Sequence, residues 1–282
     1  MKRRTFVKTT SAGLLAGMFF PSSLLAGNPG GYPIGLQLYT LRDEIKNDLE
    51  GTLEKIAGIG YDTLEAAGYK DGLFYGLQPE EFKKLVHGFG MKVTSSHLTF
   101  ADDELPEVLL AHKAAGIDYI VWPWIGQDDR KSIAQYLALA GKFNTIGKLC
   151  RENGLHFGYH NHAFEFDPIE EEIPYRILLE NTDPDHVFMQ LDLYWIIYAG
   201  HDPIDWFKKY PGRFKQWHVK DMKAGEEKKM TEVGTGIIDY KKIFDHSTLA
   251  GMKSFFMEQD RIEGDAFESI QISYSNLKSM LG

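Results

Sequence analysis

Gly154-Leu155-His156-Phe157-Gly158-Tyr159-His160-Asn161-His162 follows directly on residues 132–152, a stretch whose apolar residues recur at helical spacing. That join decides the fold. Glycine closes a helix in the left-handed conformation without a Cβ clash. Helix, glycine, then a short β-branched or aromatic run therefore reads as passage from a helix into a strand. The order recurs at Gly58/Gly60, Gly90, Gly116, Gly212 and Gly251. Strand-like runs cover 33–41, 62–67, 91–98, 118–125, 155–162, 187–195, 214–222 and 252–260. Between them lie amphipathic stretches, among them Leu49-Leu53-Ile56-Ile59, Phe82-Leu85-Val86-Phe89, and residues 105–115, 175–180, 204–210, 240–249 and 267–281.

Eight strand-helix units in one unbroken composition predict an α/β fold, a single (β/α)8 TIM barrel of about 250 residues. A doubly wound sheet is disfavoured, because Gly35-Leu36-Gln37-Leu38-Tyr39 after the chain's start carries no G-x-G-x-x-G phosphate loop.

The first 27 residues have another texture. Lys2-Arg3-Arg4-Thr5-Phe6-Val7-Lys8 holds a twin arginine in the pattern Arg-Arg-x-Phe-x-Lys, followed by a weakly apolar stretch from Thr9 to Phe20 and then Pro21. This resembles a twin-arginine export signal. The expected organisation is a signal at 1–27, read by the twin-arginine export machinery, and a periplasmic barrel at 28–282. The apolar stretch is shorter than the ~20 residues that span a bilayer, so no stable membrane span is expected in the mature form.

Charge narrows the partners. The 282 residues carry 31 basic and 40 acidic groups, a formal −9, and the leader holds four of the cations. An acidic mature chain argues against nucleic acid, whose binding needs clustered cations. One cysteine, Cys150, excludes a disulfide framework and a cysteine-rich zinc site. The oligomeric state is left open.

In such a barrel the chemistry collects where strands finish. Strand two ends near Glu65, three at His97, five at His160-Asn161-His162, six at Asp192, seven at His218 and Lys220, and eight at Glu258 and Asp260. Side chains alternate along a strand. His160/His162, Gln190/Asp192, His218/Lys220 and Glu258/Asp260 thus share faces, and His160, Asp192, His218 and Glu258 are expected to meet on the barrel axis. Two imidazoles and two carboxylates suit one divalent metal ion of intermediate softness: Mn, Co, Zn, Fe or Ni. His87, His112, His186, His201 and His246 read as surface residues. Trp122, Trp124, Tyr194, Trp195 and Trp217 flank strand ends, either as packing or as platforms for a sugar ring.

With these residues in view, the chain resembles the xylose-isomerase-like superfamily over nearly all of 32–282. That superfamily groups sugar isomerases, ketose 3-epimerases, inosose dehydratases and apurinic-site endonucleases. The carriers are Ile34-Gly35-Leu36-Gln37-Leu38-Tyr39-Thr40, Leu64-Glu65-Ala66-Ala67-Gly68-Tyr69, Tyr159-His160-Asn161-His162-Ala163-Phe164-Glu165-Phe166, Gln190-Leu191-Asp192, His218-Val219-Lys220-Asp221, Gly234-Thr235-Gly236 and Met257-Glu258. The resemblance implies a metal held at His160, Asp192, His218 and Glu258. Two departures stand out: the epimerases usually carry Glu where His160 stands, and Trp195 occupies a position where many relatives have His. The second makes DNA repair improbable.

The leading expectation is an exported metal-dependent sugar isomerase/epimerase, acting through an enediolate on a small keto- or aldo-sugar. A divalent ion chelating a carbonyl and its neighbouring hydroxyl acidifies the C–H between them. Glu258 is both ligand and acid/base in this reading; His162, Glu65 and His97 are candidate proton carriers. Lys220 either polarises a substrate oxygen or pairs with Asp221. A lyase or hydratase acting beside a ketone is the alternative that His160 favours, since elimination needs no pair of opposed carboxylates. A non-catalytic carbohydrate-binding barrel is the third.

Overall fold

Phe157 and Tyr159 face the long helix Ile133–Glu152, where both rings pack on Phe143 at 5.5 Å, while the intervening Gly158 and the following His160 face the other way. This alternation builds the molecule. In the computed structural model, which describes residues 31–282, eight short strands follow one another: β1 (Ile34–Gln37), β2 (Thr63–Ala66), β3 (Lys92–His97), β4 (Tyr119–Trp122), β5 (His156–His160), β6 (Val187–Asp192), β7 (Gln216–Val219) and β8 (Ser254–Met257). Each pairs in parallel with its sequence neighbours, and β8 returns to β1 to close the barrel. The expected single (β/α)8 TIM barrel is the fold. The leader at 1–27 lies outside the described residues. Among the described residues no helix is long and apolar enough to cross a membrane.

Helices begin and end where local chemistry dictates. Ser132 and Gln135 form a reciprocal capping box at the start of Ile133–Glu152. Gly116 (φ 73°) and Gly251 (φ 82°) close their helices in the left-handed region. Gly58 lies inside Leu49–Ile59, whose cap is Gly60.

The strands are shorter than their apolar texture. The run 187–195 ends at Asp192, because that carboxylate accepts the Trp195 N–H and caps a helix over Leu193–Tyr198, placing Tyr194 and Trp195 on a helix rather than a strand. The run 214–222 ends at Val219; Asp221–Met222 instead pairs antiparallel with Met230–Thr231 in a hairpin above the barrel. The stretch 240–249 is two helices, Tyr240–Phe244 and Ser247–Ala250. His112 is a further correction. It is fully buried, its Nδ1 donating to the Val108 carbonyl within the same helix and its ring packed on Tyr69 and Phe74. Trp217 is core, stacked on Phe207 at 5.1 Å.

Hydrogen bonds between non-adjacent strands show which residues fill the interior. Gln190 on β6 reaches Glu65 on β2, and Ser95 on β3 reaches Gln216 on β7. Period two then sorts the inside into layers. Phe188 and Phe256 occupy the lower level, facing Gly158 and Gly35, where an added Cβ would lie 2.5 Å from each ring. Two residues further along the same strands are Gln37, His160, Gln190 and Glu258; Asp192 and His218 stand two residues beyond Gln190 and Gln216.

Gly35→Ala tests this packing, because its Cβ would also meet the Phe255 carbonyl oxygen at 2.6 Å. Overpacking of this kind costs about 1–3 kcal/mol. Urea denaturation should show a lower midpoint at unchanged slope; an unaltered midpoint would contradict the layer assignment.

Candidate metal centre

Glu65 is the floor of the site. Alternation along β2, in unbroken register with β1, turns this carboxylate into the barrel, where it is completely buried, and one extra residue in β3, Thr94, sets Ser95 beside it. Four side chains donate to it: Gln37 Nε2, Ser95 Oγ and Gln190 Nε2 at 2.6 Å each, and His218 Nε2 at 2.5 Å. Burial would raise its pKa, but His97 and His218 alongside, with the His218 and Ser95 hydrogen bonds, hold it below the ordinary carboxylate value.

These bonds set the imidazoles above. His218 spends Nε2–H on Glu65, so Nδ1 is its upward-facing nitrogen, now 2.7 Å from Glu258 Oε2. Gln190 Oε1 accepts from His97 Nε2 at 2.5 Å and from His160 Nδ1 at 3.1 Å, leaving His160 Nε2 toward Asp192 Oδ2 at 3.8 Å. Histidines that ligate metals characteristically donate their second nitrogen to such a partner. Burial, then the neighbouring His218 and His97, keeps His160 well below its usual pKa and therefore neutral, the form that can ligate.

His160, Asp192, His218 and Glu258 each offer a ligand atom within 4.8 Å of the other three. Donors on one ion lie at most roughly 4.4 Å apart, twice a bond of ~2.2 Å. The set is therefore within a few tenths of an ångström of binding shape. Asp192 Oδ2 is buried and makes no hydrogen bond, its cationic neighbour being the Lys220 ammonium at 3.0 Å, so it keeps lone pairs for an ion. Nitrogen and oxygen donors in equal number fit a divalent ion of borderline softness. His97, His160 and His218 form a second close trio.

Lys220 does not pair with Asp221. Its buried ammonium sits 2.6 Å from Glu258, 2.9 Å from Asp260 and 3.0 Å from Asp192. Burial alone would discharge it; the three carboxylates outweigh that and keep it charged. Asp221 instead accepts the backbone N–H groups of Met222, Gly234, Gly236 and Ile238, shaping the loop behind the hairpin.

Over the ligands opens a cavity of about 1040 Å³ at the C-terminal ends of the strands. His97, His160, His162, Lys220, Glu258 and Asp260 reach its wall; Glu65, Asp192 and His218 lie beneath it. Glu65 is thus placed to orient His218, not to touch a ligand in the cavity. His162 lines the cavity with its Nδ1 buried and without a hydrogen-bond partner, and burial together with Lys220 pushes its pKa down to about 3. Its backbone N–H donates to Glu165 Oε2 at 2.8 Å, and Tyr159 donates its hydroxyl to Oε1 of the same carboxylate.

Sequence reasoning missed Glu165, Gln37, Ser95 and Gln216 as site residues. The last three carried a signal: Ser95 and Gln216 stand two residues before His97 and His218, and Gln37 is in register with Glu65. Glu165 lies in a 3-10 turn beyond β5 and carried none.

Residues 53–257 match the family described as xylose isomerase-like TIM barrel. The chain belongs to that family. Among curated relatives, an inosose dehydratase of Bacillus cereus is 30% identical over 149 residues, 46% of this chain and 49% of that protein. One of Clostridium tetani is 34% identical over 122 residues, 38% and 40% of the two chains. The chain thus spans about half the length of the curated relatives it matches. A solved structure from Parabacteroides distasonis, described as a sugar phosphate isomerase/epimerase, covers 92% of this chain and 96% of its own at 27% identity, with a TM-score of 0.76. The family comprises sugar isomerase/epimerase and inosose dehydratase enzymes.

Three variants test the centre. Asp192→Ala and His218→Ala should each lose bound metal by elemental analysis while keeping the far-ultraviolet spectrum of the barrel; retained metal in both would refute the ligand set. Glu65→Gln removes only the orienting carboxylate, so metal affinity should fall by about 10–100-fold.

Glu165 gives a pH test. Burial pushes its pKa up to about 7. The folded state then holds a proton that the unfolded chain releases near pH 4.5, so this group's stabilisation is present below that pH and lost as pH rises through about 7. Glu165→Gln should flatten the fall in denaturation midpoint across that window; an unchanged slope would contradict it.

Proposed function

We propose that this family member removes a proton beside the carbonyl of a keto-sugar or keto-polyol and then expels the β-hydroxyl as water, a dehydratase reaction. One observation carries the choice. The site presents a single ligand carboxylate, Glu258, on the cavity wall, with the imidazole of His160 where a second, opposed carboxylate would be needed to return a proton to the other face. The half-length similarity to inosose dehydratases supports the same reading.

A divalent ion held by His160, Asp192, His218 and Glu258 would act as a Lewis acid on a carbonyl and its neighbouring hydroxyl. The chain supplies the rest. His162 is neutral and lines the cavity, so its imidazole can accept the α-proton. Lys220 stays cationic and offers fixed positive charge toward the negative oxygen that develops as that proton leaves. Loss of hydroxide from the adjacent carbon, with one proton returned to it as water, balances the step and leaves a conjugated enone.

Isomerisation or epimerisation shares the first proton transfer and is favoured by the whole-length likeness to the Parabacteroides protein. Incubating metal-loaded protein with inososes and keto-sugars in deuterated water separates the two. An absorbing enone and one water lost per turnover supports the dehydratase. Deuterium retained on carbon without loss of water supports the isomerase. Binding without exchange or product would leave a carbohydrate-binding barrel.

The twin-arginine pattern at Arg3-Arg4 supports work outside the cytoplasm. Replacing both with Lys should keep the full-length chain in the cytoplasmic fraction; unchanged export would refute that reading.

A further inference from the structure

A hexose displaces roughly the volume of six waters, ~180 Å³ at ~30 Å³ each. One ring placed against the ligands would fill about a sixth of the 1040 Å³ cavity. Pockets of roughly 300–1,000 Å³ hold drug-sized ligands, and this one lies just above that range.

The cavity wall has a second peculiarity. Among the described residues the strongly exposed aromatics are Tyr39 (46%), Trp124 (44%) and Tyr198 (38%), and all three line this cavity. They come from distant parts of the chain, so no single loop accounts for their meeting. Each is braced by a cation on one ring face: Arg42 over Tyr39 at 4.6 Å, Arg130 over Trp124 at 4.7 Å and Lys228 over Tyr198 at 5.0 Å. Two of these cations are themselves tied down. Arg42 donates to the Tyr39 and Asp260 carbonyls, and Lys228 donates to the Tyr198 carbonyl. A cation over a ring holds it in a preset orientation, and the part of each ring left exposed faces the cavity. Exposed apolar rings are costly in water, and their clustering marks a binding surface.

We infer that the outer part of the cavity is a subsite for a second ring, so that the substrate is a glycoside, a keto- or aldo-sugar bearing another sugar or an aryl group, and not a free monosaccharide. This rests on the sugar chemistry proposed above and extends it. The second ring supplies what these platforms recognise: a flat, apolar face, which a pyranose offers through its axial C–H bonds and an aryl group through its π system. The inner ring lies against His160, His162 and Lys220. Rigid aromatic anchors bind at small entropic cost, so the outer ring adds affinity without chemistry of its own.

Equilibrium binding tests this with the metal-loaded protein and three non-reacting probes: methyl β-D-glucoside, phenyl β-D-glucoside and cellobiose. Calorimetry should show the two-ring probes binding at least tenfold more tightly than the one-ring probe. Whichever of the two is preferred identifies the outer ring as aryl or sugar. Trp124→Leu and Tyr198→Leu should each cut that tenfold advantage at least threefold, and Trp124→Phe should restore most of it. Two-ring probes that bind no more tightly than methyl glucoside overturn the subsite, as do variants that leave the advantage intact. Because the readout is binding without turnover, its failure leaves the proton-exchange result standing. A protein that prefers two-ring probes yet yields neither exchange nor enone keeps the subsite and loses the reaction.

Discussion

A carboxylate buried at the centre of a barrel is costly unless every lone pair has a donor, because desolvation penalises the charge by several kcal/mol. Glu65 meets that condition through Gln37, Ser95, Gln190 and His218, contributed by β1, β3, β6 and β7. The requirement propagates upward. Each donor to Glu65 is an interior side chain of a different strand, so strand register and the presence of the carboxylate specify one another. His218 must give up Nε2–H, which leaves Nδ1 as the ligand atom; Gln190 must turn its amide nitrogen inward, which turns its oxygen to His97 and His160. The protonation states at the metal centre are thus consequences of a polar layer below it.

Much of this was legible before any coordinates. Period-two alternation put His160, Asp192, His218 and Glu258 on one axis because a closed parallel barrel leaves their strands little freedom. Glycines after helices marked the junctions. What local pattern could not reveal was where a polar side chain finds its partner. From sequence, Lys220 is as ready to pair with Asp221 as to polarise a substrate oxygen. In the fold, Asp221 is consumed by four backbone N–H groups and Lys220 turns to three carboxylates from other elements. His112 looked exposed because histidine in a helix usually is; its buried face is created by Tyr69 and Phe74 from a hairpin that hydrophobic periodicity does not announce. Strand ends were overrun wherever apolar texture continued into a capped turn, as after Asp192.

The arrangement also separates holding from reacting. Glu65, Asp192 and His218 lie under the cavity wall, while His162, Lys220 and Glu258 face into it. The reacting side is asymmetric: the uncharged imidazole of His162, the Lys220 cation with Asp260 bonded to it, and one ligand carboxylate, Glu258, held well below its usual pKa once the Lys220 and His218 charges outweigh its burial. The proposed dehydration needs such a set: a base for one proton and fixed positive charge for the oxyanion that results.

Everything functional in this account depends on one cation seated among four side chains from β5 to β8 and their ends. Anomalous diffraction from crystals grown with manganese or cobalt locates that cation directly. A single peak bonded to His160, Asp192, His218 and Glu258, with Glu65 still bonded to His218, is the predicted result. A peak held by other residues, or none at a saturating metal concentration, would contradict it.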